Sequence, residues 1–311
     1  MILSDFYNPR KTKVLFGLKT EFNFFKDLII KNNLPKINLL SGTKGIGKST
    51  LVFHLMNSYF DPENYDLFNN KILKESNFYV NFINDTFSNI IYLDGSILEN
   101  IKIEKIRQLK DILYKSPLYN KKRFIIIDGI EKFNINSLNA LLKIIEEPTN
   151  NNYFFLINNK TELLLETIKS RCIEFKILIT ENNRKKNISL LSDYYNQQIT
   201  LDEDLVKTSP GNFIKFNFIL KENNIKNDKD FIKNLSLILN LYKKEKNIFL
   251  KDLVLYFTEY YLQKMKIKNI YDNKKIIENR SFMIKHLNNF FIYNLNLNTF
   301  LNSLEGKFTN E

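Results

Sequence analysis

The chain is poor in the residues that build disulfide frameworks and metal sites. Its 311 residues include one cysteine, two histidines and no tryptophan. The single thiol, Cys172, excludes a disulfide framework and a cysteine-rich zinc module, so no zinc is expected. The two histidines, His54 and His286, also disfavour a histidine metal site.

Long hydrophobic runs are missing as well. No segment approaches the ~18 consecutive apolar residues of a membrane helix, and the first residues, MILSDFYNPRK, lack a signal-peptide core. A composition of 44% hydrophobic and 26% charged residues suits a globular protein of two or three domains. We therefore expect a cytoplasmic protein with no membrane partner.

Negative charge is in deficit. The formal net charge is +12 and the isoelectric point is about 9.4, which is typical of proteins that bind nucleic acid. However, lysine, asparagine and isoleucine are abundant in every segment, as they are in proteins encoded by A+T-rich genomes. The charge alone does not separate DNA binding from coding bias.

Glycine and proline are scarce and unevenly placed. Three of the eight glycines lie between Gly42 and Gly47, so one loop there needs unusual backbone freedom. After Gly211 the chain has no proline and one glycine, Gly306. The last third is therefore predicted to be helical, with turns rich in asparagine and lysine.

The first 178 residues alternate between strand-like and helical patterns. Apolar runs at 37–40, 90–93, 124–127 and 153–157 are separated by segments in which apolar residues recur at helical spacing. This alternation predicts an α/β fold with a parallel sheet covered on both faces. We predict three domains: an α/β nucleotide-binding domain over 1–178, a small helical lid over 179–225 and a helical bundle over 226–311.

A phosphate-binding loop follows the first strand. The sequence fits G-x-x-x-x-G-K-[ST], and an apolar strand precedes it while a helical pattern follows. In such a loop, backbone N–H groups surround phosphate oxygens, the lysine reaches the β- and γ-phosphates and the hydroxyl ligates Mg²⁺. The predicted nucleotide-binding residues are Gly42, Thr43, Lys44, Gly45, Ile46, Gly47, Lys48, Ser49 and Thr50.

Asp128 ends the apolar run FIIID and is the candidate Mg²⁺ partner of Ser49. In most ATPases of this design a second acid follows at once, but here Gly129 follows. Water that attacks a γ-phosphate needs a carboxylate to orient and deprotonate it. Glu131 lies two residues further on, where a continued strand would point it the same way as position 129, and only a loop would bring it to the site.

Two further segments carry candidate site residues. The strand YFFLINN ends in Asn158 and Asn159, near where a γ-phosphate could be sensed. Arg171 lies in the segment TIKSRC, where an isolated Ser-Arg-Cys triplet would be an ordinary solvated surface feature.

Taken together, these segments resemble the bacterial clamp-loader subunits, a branch of the AAA+ ATPases. The resemblance covers about residues 9–217, and the run from NALLKIIEEP to SRC is its most specific part. It looks most like the delta-prime type of subunit in the DNA polymerase III holoenzyme. It implies that Lys48, Ser49 and Asp128 bind ATP and Mg²⁺ and that Asn158 or Asn159 is the first sensor. It also implies that Arg171 acts in trans on a neighbouring subunit's ATP.

Two departures from the family pattern concern hydrolysis. The water-activating acid is replaced by Gly129, and the lid arginine expected near 211–212 is replaced by Gly211 and Asn212. The resemblance therefore implies a subunit that binds ATP without hydrolysing it. Its implied partners are the gamma/tau motor subunits, the delta subunit, the sliding clamp and primer–template DNA.

Three other functions remain open at this level. The first is an active motor ATPase, either a gamma/tau-like subunit or a branch-migration helicase. The second is a small-molecule phosphotransferase with a phosphate loop, and the third is a DNA-binding scaffold that kept the fold. A measurable ATPase rate of the isolated chain would favour the first, and tight DNA binding would favour the third.

Overall fold

The structure is a computed structural model that describes residues 8–95, 103–114, 117, 121–149, 151–225 and 231–308. Its chain divides into two compact units. The first unit runs to Leu191 and also includes Ser209–Gly211. The second unit holds Ser192–Thr208 and the chain from Asn212 onward.

The first unit contains a parallel sheet. Within the described residues, five strands pair in the order β4-β5-β6-β1-β7, and every neighbouring pair is parallel. Two short strands, β2 and β3, form a separate antiparallel pair. The strands are β1 Ile37–Ser41, β2 Tyr65–Asp66, β3 Lys71–Ile72, β4 Ile90–Asp94, β5 Arg123–Asp128, β6 Asn152–Asn158 and β7 Ile173–Lys176.

Helices separate the strands along the chain, as the alternating pattern predicts. A short 3₁₀ turn, Ile130–Lys132, follows β5, and another, Pro62–Asn64, precedes β2. The helices of the first unit are α1 Lys19–Ile30, α2 Lys48–Phe60, α3 Asn77–Ile83, α4 Ile103–Leu113, α5 Ile135–Ile145, α6 Glu166–Lys169 and most of α7 Glu181–Tyr194.

The central strands are buried on both faces because alternate side chains point to opposite sides of a strand. Phe124 and Ile126 of β5 pack into one apolar cluster together with Phe53 of α2. Ile125 and Ile127, in contrast, pack into a second cluster that includes helical residues of α4 and α5. The doubly covered parallel sheet predicted from the apolar runs is thus confirmed.

The second unit is helical throughout its described secondary structure. Leu253, Phe257 and Tyr261 follow one another at intervals of four residues on one helix and face the unit's own core. Leu253 and Phe257 are buried, and Tyr261 stacks on Phe231 with ring centroids 4.0 Å apart. Its helices are most of α8 Pro210–Glu222, then α9 Phe231–Glu245, α10 Ile248–Ile267, α11 Asn273–Ile292 and α12 Leu297–Phe308.

The α/β fold followed by helices is therefore confirmed, whereas the division into three domains stays a prediction. The predicted boundary between 225 and 226 lies at the edge of the described residues, because residues 226–230 are outside them. In the described part of the chain, no helix combines the length and the apolar character needed to cross a membrane.

Candidate functional site

The predicted phosphate loop joins β1 to α2. Two of its glycines adopt left-handed backbone angles, with φ of +86° at Gly45 and +101° at Gly47. At Gly42, a Cβ atom would lie 2.4 Å from the Ile177 carbonyl oxygen, so a side chain would not fit there. The spacing of the glycines therefore meets real backbone requirements, which a chance glycine-rich turn would not show.

Lys48 is the first residue of α2, and its side chain points back into the loop. The residue is 2% exposed, and its Nζ donates hydrogen bonds to the carbonyl oxygens of Gly42 at 2.7 Å and Thr43 at 3.0 Å. Burial lowers the pKa of Lys48 to about 8, although the nearby carboxylates of Asp128 and Glu131 oppose that shift. A buried ammonium that only carbonyl groups contact is suited to receive a phosphate group.

Ser49 and Asp128 meet at the carboxyl edge of the sheet. The Ser49 hydroxyl donates a hydrogen bond to Asp128 Oδ2, and the Asn159 side-chain amide donates to Asp128 Oδ1 at 3.2 Å. Burial raises the pKa of Asp128, while these two donors lower it. The structure thus brings together a hydroxyl and a carboxylate predicted from segments 79 residues apart.

This donor set fits Mg²⁺ that arrives with a nucleotide. Among the described residues, no group of three or more His, Cys, Asp and Glu side chains could hold a metal ion alone. Mg²⁺ commonly takes one or two protein oxygens and completes its shell with phosphate oxygens and water. Ser49 and Asp128 supply such a pair beside the phosphate loop.

The two candidate sensor residues point in different directions. Asn158 pairs with Ser41 across β6 and β1, and its amide lies 3.5 Å from the Ser41 hydroxyl. The next residue, Asn159, directs its amide to Asp128 instead. The sequence left the choice between them open, and the structure places Asn159 against the acidic side chain of the site.

Gly129 adopts a left-handed conformation with φ of +69°. The strand therefore ends at Asp128, and the chain enters the 3₁₀ turn Ile130–Lys132. This turn buries Glu131, which is 5% exposed. Its carboxylate accepts hydrogen bonds from the Asn159 backbone N–H at 3.1 Å and the Thr161 hydroxyl at 2.8 Å. The turn therefore buries Glu131 next to Asn159, whereas the alternation of side chains along a continued strand did not favour a place for it at the site.

Arg171 lies toward the opposite edge of the sheet from the phosphate loop. It precedes β7, whose first residue Ile173 pairs with Asn38. Asn38 is three residues, or roughly 10 Å of strand, before the end of β1. The guanidinium forms an ion pair with Glu146 at 2.7 Å and donates to the Thr167 carbonyl oxygen at 3.0 Å.

One of the two positions where a lid arginine was expected, Gly211, contacts the phosphate loop through its backbone. Gly211, near the start of α8, donates its N–H to the Gly45 carbonyl oxygen at 3.0 Å. A Cβ atom at position 211 would lie 2.7 Å from that oxygen. Gly211 therefore belongs to the surroundings of the phosphate loop, whereas an arginine there would displace the loop.

Three residues that contact the predicted site residues were not themselves predicted as site residues from the sequence: Glu131, Glu146 and Gly211. The signal for Glu131 was an acid three residues after the strand-ending aspartate. Glu146 lies in the motif IIEEP, which helical periodicity explains by itself. Nothing local distinguishes Gly211 from a common helix-start glycine.

Comparison with known proteins identifies similar sequences. The family described as "DNA polymerase III, delta subunit" matches residues 17–180, just over half of the chain. The DNA polymerase III subunit gamma of Buchnera aphidicola subsp. Acyrthosiphon pisum is 27% identical over 190 residues, which are 59% of this chain and 49% of that protein. The subunit delta′ of Bacillus subtilis is 30% identical over 168 residues, 53% of this chain and 45% of that protein. The chain spans about half the length of these relatives.

A solved structure of a DNA polymerase III gamma subunit-related protein from Thermotoga maritima is also similar. It is 18% identical, covers 91% of this chain and 96% of its own, and has a TM-score of 0.45.

Proposed function

The chain belongs to the DNA polymerase III delta-subunit family, and from that premise we propose that it is a clamp-loader subunit of the delta-prime type. In this proposal it binds ATP with Mg²⁺, does not hydrolyse it appreciably and supplies Arg171 to the ATP site of a neighbouring subunit. Its partners are motor subunits of the gamma/tau type, a delta subunit, a sliding clamp and primer–template DNA. It acts in the cytoplasm.

Nucleotide binding is supported by the phosphate loop and by Lys48. Phosphate oxygens would replace the carbonyl groups of Gly42 and Thr43 as partners of the Lys48 ammonium. Ser49 and Asp128 would hold Mg²⁺ against the phosphates. When bound, Mg²⁺ supplies charge neutralisation for the phosphate oxygens. The main chain of residues 42–50 and the Lys48 side chain bind and orient the nucleotide.

The observation that carries the proposal is an intact phosphate loop beside Gly129. Glycine offers no carboxylate to orient water, and a positioned general base is typically worth ~10²–10⁴ in rate. The acid of the following turn, Glu131, directs both carboxylate oxygens to hydrogen-bond donors of the Asn159–Thr161 segment. The site therefore has the groups that bind a nucleotide, and position 129 offers no acid that could orient water.

The position of Arg171 supports action in trans. Its side chain lies toward the amino edge of the sheet, whereas the chain's own phosphate loop follows the carboxyl edge. Glu146 contacts Nε and Nη2 on one side of the guanidinium, and the group is 37% exposed. An arginine held in this way can present its remaining N–H groups to phosphate oxygens of another subunit.

Calorimetry and a coupled phosphate-release assay on the isolated chain test the first half of the proposal. We expect saturable binding of Mg²⁺–ATP, loss of that binding in Lys48→Ala, and hydrolysis near background. Steady turnover near one per second, a rate in the ordinary enzyme range, would refute the absence of hydrolysis. Binding unchanged by Lys48→Ala would refute the assigned site.

Two substitutions at position 129 test whether hydrolysis is slow because a carboxylate is missing there. The nearest atoms to a Cβ at Gly129 lie 3.9 Å away, so a side chain has room. Both Gly129→Glu and Gly129→Gln carry the strain of φ +69°, but only the glutamate can accept a proton. We expect hydrolysis at least tenfold faster in Gly129→Glu than in Gly129→Gln. Equal rates would show that the acid at 129 is not what the site lacks.

A reconstituted loader with motor subunits, clamp and primed DNA tests Arg171. We expect Arg171→Ala to leave assembly and this chain's ATP binding intact while lowering DNA-stimulated hydrolysis at the adjoining site. An arginine acting in trans is worth roughly 10³–10⁵ in rate in well-studied systems. Arg171→Lys should rescue little, because an ammonium does not reproduce the planar fork. Unchanged hydrolysis and clamp loading in both variants would refute the role.

An active motor subunit of the gamma type is the second candidate. The similarity to gamma subunits favours it. The assay of the isolated chain separates the two candidates: a motor hydrolyses ATP with a rate that falls in Lys48→Ala. The delta-prime type instead binds ATP without turnover.

A further inference from the structure

We propose that Glu131 is a positioning residue of the nucleotide site: it fixes Asn159 so that the Asn159 amide holds Asp128 in the orientation that receives Mg²⁺. This role rests on the proposed binding of Mg²⁺–nucleotide by Ser49 and Asp128. It concerns the one acid of the turn Ile130–Lys132, which the sequence alone placed at the site only if a loop brought it there.

The first step is the burial of Glu131. The residue is 5% exposed, and a buried carboxylate is tolerated when hydrogen bonds satisfy its oxygens. Oε2 accepts from the Asn159 backbone N–H at 3.1 Å. Oε1 accepts from the Thr161 hydroxyl at 2.8 Å. Glu131 therefore fixes the first residues after β6 through both of its carboxylate oxygens.

The second step concerns Asn159, which contacts two carboxylates, one through its backbone and the other through its side chain. Its backbone N–H binds Glu131, while its side-chain amide donates to Asp128 Oδ1 at 3.2 Å. The other oxygen, Asp128 Oδ2, accepts from the Ser49 hydroxyl. A continuous chain of hydrogen bonds thus runs from Ser49 through Asp128 and Asn159 to Glu131. Groups that orient a metal-binding carboxylate affect metal affinity without touching the metal.

The third step is the backbone turn that delivers Glu131. Gly129 has φ of +69°, a conformation that glycine adopts without a steric penalty. It ends β5 and allows Ile130–Lys132 to fold inward. The following residue, Lys132, pairs with Glu162 at 2.6 Å, so neighbouring residues of the turn hold the same loop after β6. Gly129 therefore both removes a possible base and places the residue that anchors Asn159.

The experiment measures affinity for the non-hydrolysed nucleotide ADP by calorimetry, once with Mg²⁺ and once with EDTA, on the full chain. For Glu131→Gln we expect the Mg²⁺-dependent gain in affinity to fall about tenfold, the lower end of what outer partners of metal ligands contribute. Affinity in EDTA should be unchanged, since the phosphate loop and Lys48 remain intact. Glu166→Gln is the matched control, because it alters an exposed glutamate that lies outside this chain of hydrogen bonds.

Asn159→Ala tests the same path without changing a buried charge, so the proposal remains testable if Glu131→Gln does not fold. It should lose the Mg²⁺-dependent gain to a similar degree, and the double variant should be no worse than Asn159→Ala. A full Mg²⁺ effect in Glu131→Gln and Asn159→Ala would overturn the proposal. Equal losses with and without Mg²⁺ would also overturn it, because they indicate a general structural role.

The outcomes distinguish this proposal from the proposed function. Wild-type chain that binds no ADP under either condition would overturn the nucleotide site, and the role of Glu131 with it. Wild-type binding that Mg²⁺ strengthens, together with an unaffected Glu131→Gln variant, would overturn the role of Glu131 alone. Additive losses in the double variant would likewise show that Glu131 does not act through Asn159.

Discussion

His54 is a buried histidine that connects the helix after the phosphate loop to two other segments. Its Nδ1 lies 2.9 Å from the Tyr65 hydroxyl, and its Nε2 lies 3.1 Å from the Thr12 carbonyl oxygen. A carbonyl accepts only, so Nε2 carries the proton and Nδ1 accepts from the tyrosine. The neutral ring satisfies both partners, and a second proton would break the bond from Tyr65.

Stability should therefore fall in mild acid. Burial lowers the pKa of His54 from its ordinary 6.5 to about 4. Below pH 6.5 the unfolded chain takes up a proton that the folded chain refuses, so stability is lost as the pH falls from 6.5 to 4. The shift corresponds to roughly 3 kcal/mol. Urea unfolding at pH 7.5, 5.5 and 4.5 measures it.

His54→Gln and His286→Gln provide the comparison for this prediction. His54→Gln should be less stable at pH 7.5 but should lose less stability than wild type between pH 6.5 and 4.5. His286→Gln should keep the wild-type dependence. An equal pH dependence in wild type and His54→Gln would mean that other groups cause the acid sensitivity.

The lowered pKa of Lys48 leads us to expect that nucleotide binding is accompanied by proton uptake. Burial lowers its pKa to about 8 before binding, so at pH 8 about half of the molecules carry the charged form. Phosphate oxygens favour the ammonium and raise that pKa. Calorimetry in buffers of different ionisation enthalpy should therefore show uptake of about half a proton per ATP at pH 8. In Lys48→Arg the guanidinium is always charged, so any binding should proceed without uptake. Equal uptake in both proteins would contradict the assignment.

At the scale of elements, the end of α5 and the segment after α6 are joined by the Glu146–Arg171 pair. Both side chains are partly exposed, so the pair itself adds little stability. Its effect is to restrict the rotamers of a long side chain before a partner arrives, which reduces the entropy lost on binding. The pair is thus suited to preparing Arg171 for an intermolecular contact.

We expect Glu146→Ala to lower stimulated hydrolysis in the reconstituted loader several-fold, since restricting one such side chain is worth about 1 kcal/mol. In the Arg171→Ala background the same change should have no further effect. Glu147→Ala, which alters the adjacent exposed glutamate, is the control. A loss of the same size in both backgrounds would show that Glu146 acts independently of Arg171.

At the scale of the whole molecule, the two compact units differ from the predicted three-part division. The predicted lid ends at 225, but Phe216 of α8 stacks on Phe249 and Tyr256 of α10, with ring centroids 5.0 and 4.8 Å apart. Residues 192–208 also belong to the second unit. Phe216, a residue of the predicted lid, therefore packs against a C-terminal helix, and the three-part division stays a prediction.

Two truncated chains test this division. A chain that ends at 225 keeps Phe216 without its aromatic partners, so it should bind a hydrophobic dye more strongly than a chain that ends at 191. Dye fluorescence and urea unfolding of both fragments measure the difference. If the longer fragment binds no more dye and unfolds at higher urea, the lid folds with the α/β domain and the three-part division is right.

The sequence by itself determined the parallel sheet, the helical last third and the phosphate loop. These features depend on local spacing: short apolar runs between amphipathic segments, and glycines where the backbone must approach phosphate. Asp128 was also predictable, because the carboxyl ends of parallel strands meet at one edge. The family followed from several such segments in a fixed order, which no single motif would have shown.

Only the tertiary structure decided which polar residues meet. The choice of Asn159 over Asn158 as the partner of Asp128 depends on where β6 ends, and the burial of Glu131 depends on the left-handed turn at Gly129. The pairing of Arg171 with Glu146 joins segments 25 residues apart. Periodicity describes neighbours along one helix or strand, whereas these contacts arise from strand register and turn geometry, which bring distant parts of the chain together.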